Sequence, residues 1–394
     1  MNYLEELLEG VEVKWKPLGE KENGVAVLSR GRVMSKVYLA DNVGKYPVFS
    51  SQTANNGEIG KITTYDFDGE SVTWTTDGAN AGTVFHRKGK FSITNVCGLI
   101  KIKDEKELNY KFLFYWLSIE AKKHVYSGMG NPKLMSNQMA KIPVPIPSLQ
   151  IQQKIVDILD TFTELAAELA AELTARKQQF EYYREQLLSF DKNEAKHLPM
   201  GDESLGEFIR GKRFVKNDII DEGVPTIHYG EMYTHYGTWA NQTKSFVSKE
   251  LVDRKKLRLA EKGDVVIVAA GETIEDIGQG TAWLGNEGVV IHDACFYYKS
   301  NINPKYVAYF TRTRQFHDQI KKHIRTGKIS AINSKGLGKA IIPIPSPEEQ
   351  ERIVSILDKF DTLTSSISEG LPKEIELRQK QYEYYRSKLL DFSN

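Results

Sequence analysis

Apolar residues recur at helical spacing in two stretches of the chain, and the two stretches are nearly copies. Ile155, Ile158, Leu159, Phe162, Leu165 and Leu169 keep to one face of a helix. Ile353, Ile356, Leu357, Phe360 and Leu363 do the same near the C-terminus. The copying extends to both sides. Lys141, Pro145, Ile146, Pro147, Ser148, Gln152 and Asp160 return 198 residues later as Lys339, Pro343, Ile344, Pro345, Ser346, Gln350 and Asp358. Glu181-Tyr182-Tyr183-Arg184 and Leu187-Leu188 return as Glu383-Tyr384-Tyr385-Arg386 and Leu389-Leu390, now 202 residues on. The second copy has therefore gained about one helical turn. One such helix has a greasy stripe and nowhere to put it. Two copies predict two long helices packed as an antiparallel coiled coil.

Prolines at 143, 145 and 147, and again at 343, 345 and 347, cannot continue a helix and predict a rigid extended linker before each copy. Ser148 and Ser346 are the expected N-caps, with Glu348 and Glu349 in the first turn of the second copy. Phe162 to Leu173 is a tetrapeptide repeat whose units each end in Glu-Leu, built from strong helix formers. One unit adds ~6 Å of helix and leaves the phase ~40° ahead. The run reads either as an ordinary helical surface or as a ruler that sets the distance between domains. Gly370-Leu371-Pro372 predicts a break in the second copy.

Two mixed regions alternate with these helices, after a short amphipathic helix over 1–14 carrying Leu4, Leu7 and Leu8. Leu18-Gly19-Glu20 recurs as Leu205-Gly206-Glu207. Gly69-Glu70 before Val72-Thr73-Trp74, and Gly263-Asp264 before Val265 to Val268, each predict a turn into a strand. Ile93 and Cys97 match Ile291 and Cys295, which puts one cysteine in the same apolar strand of each region, as a buried core residue. Asn109-Tyr110-Lys111-Phe112 and Asn303-Pro304-Lys305-Tyr306 each open an aromatic helix, to about Lys123 and Lys321. The loops diverge: Gly44-Lys45-Tyr46-Pro47 and Ser50 to Gly57, against Gly211-Lys212-Arg213, Pro225 to Gly230 and Gly271 to Gly280. A constant frame with varied polar loops suits one scaffold reading two targets. The expected fold class is mixed α/β (α+β) with an internal pseudo-twofold repeat. Its segments are an N-terminal helix 1–14, globular domains 15–140 and 198–338, and helical spacers 141–197 and 339–394.

Composition narrows the function. Lys+Arg 53 against Asp+Glu 52 leaves no global basic footprint, so nucleic-acid binding must come from local patches. No apolar run has membrane length, and the acidic Met1 to Gly10 is unlike a signal sequence, so a cytoplasmic location is expected. Two cysteines exclude a disulfide framework and a structural zinc site. None of the six Gly-Lys pairs is followed by Ser or Thr as a phosphate loop requires, and no dinucleotide fingerprint or His-Glu-x-x-His pattern occurs. Asn131-Pro132-Lys133 is only a fragment of the adenine methyltransferase motif, without the aromatic that stacks on a flipped base. Glu272, Glu275 and Asp276 read as a solvated acidic loop rather than a metal site.

What remains is a binding inventory. Arg87, Lys88, Lys90, Lys122, Lys123, His124 and Lys133 supply local charge in the first region. Lys321, Lys322, His323, Arg325 and Lys328 form the strongest cluster of the second, beside Gly327. Candidate phosphate and base-edge contacts are Lys45, Tyr46, Ser51, Gln52, Asn55, Asn56 and Lys133, then Arg210, Lys212, Arg213, His228, Tyr229, Arg325, Lys328 and Lys335.

Two diverged domains alternating with near-identical helices resemble the specificity subunit of type I restriction–modification systems. Pro145-Ile146-Pro147-Ser148 with Gln152 and Ile155 to Asp160, their C-terminal copies, and the two Glu-Tyr-Tyr-Arg motifs carry the resemblance. It implies that the globular regions are target recognition domains, each reading half of a split double-stranded DNA site. The helices would set the unread gap and dock two methyltransferase subunits. Docking candidates are Gln152, Ile155, Leu159, Phe162, Tyr182, Tyr183, Arg184, Gln350, Ile353, Leu357, Phe360, Tyr384, Tyr385 and Arg386. The resemblance further implies that the chain is not itself catalytic. S-adenosylmethionine, ATP and Mg2+ would sit on the methyltransferase and restriction/translocase partners. Two other readings stay open on the residues alone: a cryptic DNA methyltransferase or nuclease, and a protein-interaction scaffold that reads no DNA.

Overall fold

The computed structural model describes residues 7–19, 22–128, 130–366 and 368–392. It forms two units, one of residues up to Glu168 with those from Ile375 on, the other Leu169–Glu374. In the first, the strands are β1 (Lys14–Pro17), β2 (Ala26–Arg30), β3 (Val43–Phe49), β4 (Glu58–Ile62), β5 (Glu70–Thr75), β6 (Val84–Lys88), β7 (Ser92–Ile93), β8 (Cys97–Ile102) and β9 (Pro143–Ile146). Its longer helices are α1 (Tyr110–Glu120) and the first part of α2 (Leu149–Leu187). The main sheet runs β2-β8-β5-β6, a second runs β4-β3-β7, and β1 pairs with β9. The apolar, almost wholly buried β5 and β8 lie at the centre of the main sheet, where both faces are covered.

The second unit repeats this plan and extends it. Its strands are β10 (Lys196–Pro199), β11 (Gly206–Arg210), β12 (Ile219–Ile220), β13 (Val224–Ile227), β14 (Trp239–Ala240), β15 (Ser245–Val247), β16 (Leu259–Ala260), β17 (Val265–Val268), β18 (Ala270–Gly271), β19 (Gly280–Trp283), β20 (Val289–Ile291), β21 (Cys295–Ser300), β22 (Ser330–Ala331) and β23 (Ile341–Ile344). Helices α3 (Pro304–Phe310), α4 (Arg314–Lys321) and α5 (Pro347–Ser365) follow, and α6 (Gly370–Leu389) comes next, its residues from Ile375 on belonging to the first unit. The order β11-β21-β17-β19 matches β2-β8-β5-β6, and β15-β13-β20 matches β4-β3-β7. Both smaller sheets contain a parallel pair in the same register, Phe49 opposite Ile93 and Ile227 opposite Ile291. Cys97 and Cys295 each begin the matched strand and are buried, and burial pushes both thiols up to about 12.

Several local expectations change. The proline stretches are paired strands, not free linkers: β9 bonds β1 and β23 bonds β10, in two-stranded ribbons where a missing N–H can face outward. Leu18 and Gly19 donate to the carbonyls of Ile142 and Ala140, and the residues in their place in the second unit are Met200 and Gly201, bonded to Ala340 and Gly338. Leu205-Gly206 instead leads into β11, so the two Leu-Gly-Glu triplets are not equivalent. Glu20 and Leu4 lie outside the described residues. The second aromatic helix is split, because Thr311 and Thr313 bond back to Ala308 and Phe310 and Thr313 then caps α4. The break in the C-terminal copy falls between Ser365 and Gly370, leaving Pro372 in the first turn of α6, where its missing N–H costs nothing.

Each globular domain is clamped to its own spacer helix by the same hydrogen bonds. Asn109 caps α1 through its side chain, and its own N–H donates to Gln152 Oε1 at 2.9 Å. Gln152, fully buried, returns donors to the carbonyls of Pro147 (2.8 Å) and Glu107 (2.9 Å). Asp160 then accepts from Lys111 Nζ at 2.5 Å and Tyr115 Oη at 2.7 Å. In the second unit Asn303 N–H meets Gln350 Oε1 at 3.0 Å, and Gln350 donates to Pro345 at 2.9 Å. Lys305 and Tyr309 meet Asp358, each at 2.7 Å. The helical stripes are thereby used twice. Ile155, Val156 and Leu159 share a core with Phe112 and Leu113 of α1, with Leu389 of α6 and with Leu390 just past it. Ile353, Val354 and Leu357 share one with Tyr306, Tyr309 and Leu188. Phe162 stacks on Tyr385 (5.1 Å) in the first unit, and Phe360 on Tyr183 (5.4 Å) and Phe180 (6.1 Å) in the second. Along α2, Phe180 and Tyr183 thus meet Phe360, and Leu188 farther on shares a core with Ile353 and Leu357 nearer the start of α5, as antiparallel helices require.

Gln152→Ala should leave one N–H and two carbonyls without their buried partner and destabilise the first unit by about 3 kcal/mol. Gln350→Ala should leave one N–H and one carbonyl unpartnered and destabilise the second unit by about 2 kcal/mol. Urea denaturation of each variant checks this, and a loss under about 0.5 kcal/mol would mean that water substitutes for the amide.

Candidate nucleic-acid interface

The C-terminal ends of β2, β3, β5 and β7 gather beside the start of β8, and the polar side chains of the first domain collect there. Arg32 is bridged to Thr94, Asn95 N–H donates to the Arg32 carbonyl, and Thr76 N–H donates to Val96. Ser50, just past β3, meets Thr94 through their hydroxyls at 2.9 Å. A hairpin joins the same rim, because Asp77 is bridged to Lys133 and Lys133 to Tyr126, an exposed ring.

Candidate residues Ser51, Gln52, Asn55 and Asn56 form the loop that crowns this rim. Asn55 and Asn56 adopt left-handed backbone, φ 49° and 53°, which asparagine tolerates better than most residues. Gln52 Nε2 donates to the Glu58 carbonyl at 2.6 Å, tying the loop's two arms. Arg87 props it from below. Its guanidinium donates to the Asn56 carbonyl at 2.7 Å and lies 3.6 Å from the Phe49 ring centroid; burial lowers its pKa to about 10. Arg87 is therefore a buried strut and not a free phosphate contact. Lys133 is in the rim, 3.8 Å from Asp77. Lys45 and Tyr46 are not: they sit at the opposite end of β3, in a separate patch with Tyr65 and Lys90.

The second domain carries different side chains on the same frame. Arg210-Gly211-Lys212 takes the place of Arg30-Gly31-Arg32, since Gly31 donates to Cys97 and Gly211 to Cys295. A Cβ at Gly31 would collide with the Ile93 carbonyl, and one at Gly211 with the carbonyls of Ile291 and His292. Only glycine lets the chain pass so close. Where the first domain has Ser50 and Thr94, the second has His228 and His292, their rings 4.7 Å apart. Phe214 packs against both, and Tyr229 leans on each. Arg213, exposed, and Arg210, donating to the Asp293 carbonyl at 2.9 Å, flank them. The hairpin from Arg325 to Ala331 presents exposed Lys328 and Ile329 and joins the rim through β18 and β22. Lys335 lies elsewhere, in a groove along β11 with Glu207, Lys299 and Lys339. Sequence reasoning matched Gly44-Lys45 with Gly211-Lys212 and so missed Arg30, Arg32 and His292. The recurring Arg-Gly-basic triplet, 180 residues apart, was the available signal.

Burial lowers the pKa of both histidines. For His228, Glu231 opposes the shift and Lys216 adds to it; for His292, Asp293 opposes it while His228 and Arg213 add to it. Neutral His292 accepts from Ala294 N–H at Nδ1 and gives its Nε2–H to the Phe214 carbonyl, at 3.1 Å each.

The docking candidates divide by burial. Gln152, Ile155, Leu159, Gln350, Ile353 and Leu357 are buried within their own units and offer a partner nothing; Phe162, Phe360 and Tyr385 are engaged between helices. Tyr182 and Tyr384, at matched positions, are 60% and 55% exposed, with Tyr183 at 38%. Arg184 and Arg386 each keep a buried Nε without a hydrogen-bond partner among the described residues, with the guanidinium near an aromatic ring.

One mixed domain used twice, with the same frame and differently furnished rims, defines a two-headed recognition protein. The chain belongs to the type I restriction–modification DNA specificity family, which matches residues 18–176 and 203–377, and its role is that of a DNA sequence-specificity subunit. It is 34% identical to the specificity subunit of the type I restriction enzymes EcoR124I/EcoR124II of Escherichia coli, over the whole of this chain and 97% of that one. It is 42% identical to the MpnII specificity subunit of Mycoplasma pneumoniae over 44% of this chain and 53% of that one. The fold is shared with the S subunit of a type I system from M. genitalium, at TM-score 0.55 and 16% identity, covering 97% of this chain and 96% of that one. It is also shared with a chain solved in a study of complex assembly and conformational transition of the type I system, at TM-score 0.64 and 14% identity, covering 98% and 99%. Among the described residues no helix is long and apolar enough to cross a membrane.

Because the unfolded chain takes up protons on both histidines below about pH 6.5, and the folded second unit resists this, its stability should fall as pH drops through that value. The Ser50–Thr94 rim has no such dependence. Hydrogen exchange at pH 7.5 and 5.5 should show the second unit loosening more than the first, and His292→Phe should remove part of the difference.

Proposed function

We propose that each domain reads one half of a split double-stranded DNA site with its rim, and that the repeated helices set the number of unread base pairs between the halves. The observation that carries this is the pairing of one frame with two rims: Ser50 and Thr94 in one, His228 and His292 in the other. Exposed Arg32, Arg213, Lys133, Arg325 and Lys328 supply phosphate contacts, and loop amides and rings supply base contacts. Binding should therefore weaken steeply with salt.

The matched Tyr182 and Tyr384, each edge-on to its neighbouring tyrosine, form the same aromatic patch twice. A patch repeated in one chain suits two copies of one partner, and tyrosine is a favoured anchor at such contacts. We assign the partners as methyltransferase subunits, joined by restriction/translocase subunits, in the cytoplasm. This chain is non-catalytic; S-adenosylmethionine, ATP and Mg2+ belong to those partners. Methyl transfer to DNA by the purified chain alone would overturn that assignment.

Tyr182→Ala with Tyr384→Ala should cost about 2 kcal/mol at each docking site, read as weaker binding of the methyltransferase subunit by calorimetry with an unchanged melting temperature. Deleting Ala170 to Leu173 removes ~6 Å of helix, on the order of one or two base pairs at ~3.4 Å each. Sequencing methylated adenines in a host carrying the deletion should show a shorter gap between two unaltered half-sites. An unaltered gap would end the ruler idea.

A further inference from the structure

His228 is placed to do more than line the second rim. Its backbone N–H donates to Glu231 Oε2 at 3.0 Å, and its Nδ1 accepts from Gly230 N–H at 3.3 Å. An imidazole that accepts at Nδ1 carries its proton on Nε2 when neutral. The ring is held on three sides, by Phe214, His292 and Tyr229, at centroid distances of 6.0, 4.7 and 4.6 Å. His292 cannot play the same part, because its Nε2–H is spent on the Phe214 carbonyl. That leaves His228 Nε2–H as an oriented donor just past the tip of β13, with no hydrogen bond to it among the described residues.

The matched position in the first domain is Ser50, whose hydroxyl is already engaged by Thr94. A hydroxyl donates or accepts as it rotates, so it discriminates poorly between bases. A neutral imidazole held in one tautomer only donates at Nε2. The acceptors that a base pair offers in the major groove are purine N7, guanine O6 and thymine O4. N7 is the acceptor that both purines present at the groove edge, where one in-plane donor suffices. Arg213 and Lys216 lie close enough to act on the histidine pair electrostatically and can hold the flanking phosphates.

We propose that His228 is a specificity-determining residue of the second domain, donating Nε2–H to the N7 of one purine in that domain's half-site. This rests on the split-site reading above. A single neutral hydrogen bond of this kind sets roughly tenfold discrimination.

The test uses the assembled complex of this chain with its methyltransferase subunits. Methylated-adenine sequencing first maps the split site of the wild type. Binding is then measured to duplexes in which each purine of the second half-site is replaced in turn by its 7-deaza analogue, which lacks only the N7 acceptor. The expected result is roughly tenfold weaker binding at one position for the wild type and no further loss there for His228→Ala. His228→Gln, which keeps an N–H donor, should recover part of the discrimination. The first half-site should be read unchanged by all variants. Equal sensitivity of wild type and His228→Ala, or no sensitive purine at all, overturns the assignment. The 7-deaza series on the wild type does not depend on any variant folding. If the wild type methylates no split site, the split-site reading itself fails; if the site is intact but indifferent to N7, only the role of His228 does.

Discussion

A buried side-chain amide is the constraint on which the rest of each half depends. Gln152 and Gln350 each accept the N–H of the aromatic helix's cap residue and donate to the carbonyl, Pro147 or Pro345, that precedes the spacer helix, so each amide satisfies a donor and an acceptor together. A buried polar group is costly unless its bonds are complete, so the amide holds the aromatic helix and the spacer helix in one geometry. Asp160 and Asp358 add a second hold two turns on, through a lysine and a tyrosine apiece. A loop that reads a groove is only as well placed as the element carrying it. These clamps make each rim part of a rigid body with its helix.

Above that clamp the domain separates what must stay from what can vary. Paired central strands, a buried cysteine and a glycine forced by close backbone approach define the frame in both units. The side chains just past the strand ends pack among themselves and not into the strand ladders, a serine–threonine pair in one unit and an aromatic cluster in the other. Ser50 and Thr94 can therefore be histidines in the other copy without disturbing Phe49 opposite Ile93 or its counterpart. Even within the rim some charges serve the frame: Arg87 looks like a phosphate contact in sequence, and is a strut under the loop of Asn55 and Asn56.

Much of this was legible in the linear chain. The two amphipathic stretches, their serine caps, the matched cysteine strands and the asparagine-capped aromatic helices all follow from periodicity and spacing, which act over a few residues and repeat as the helix or strand repeats. So did an interruption of the second copy, although it falls just before Gly370 and not at Gly370-Leu371-Pro372. Tertiary structure decided what local rules do not reach: that the proline stretches are strands, because a partner segment more than a hundred residues away is there to pair with them. It decided that the first Leu-Gly-Glu triplet corresponds to Met200-Gly201, that Lys45 and Lys335 stand apart from the rims, and that half the helical stripe is spent on the chain's own domains. Equivalence between diverged loops is set by which backbone groups they bond, and a bond between Asn95 and Arg32 leaves no mark on either neighbour's sequence.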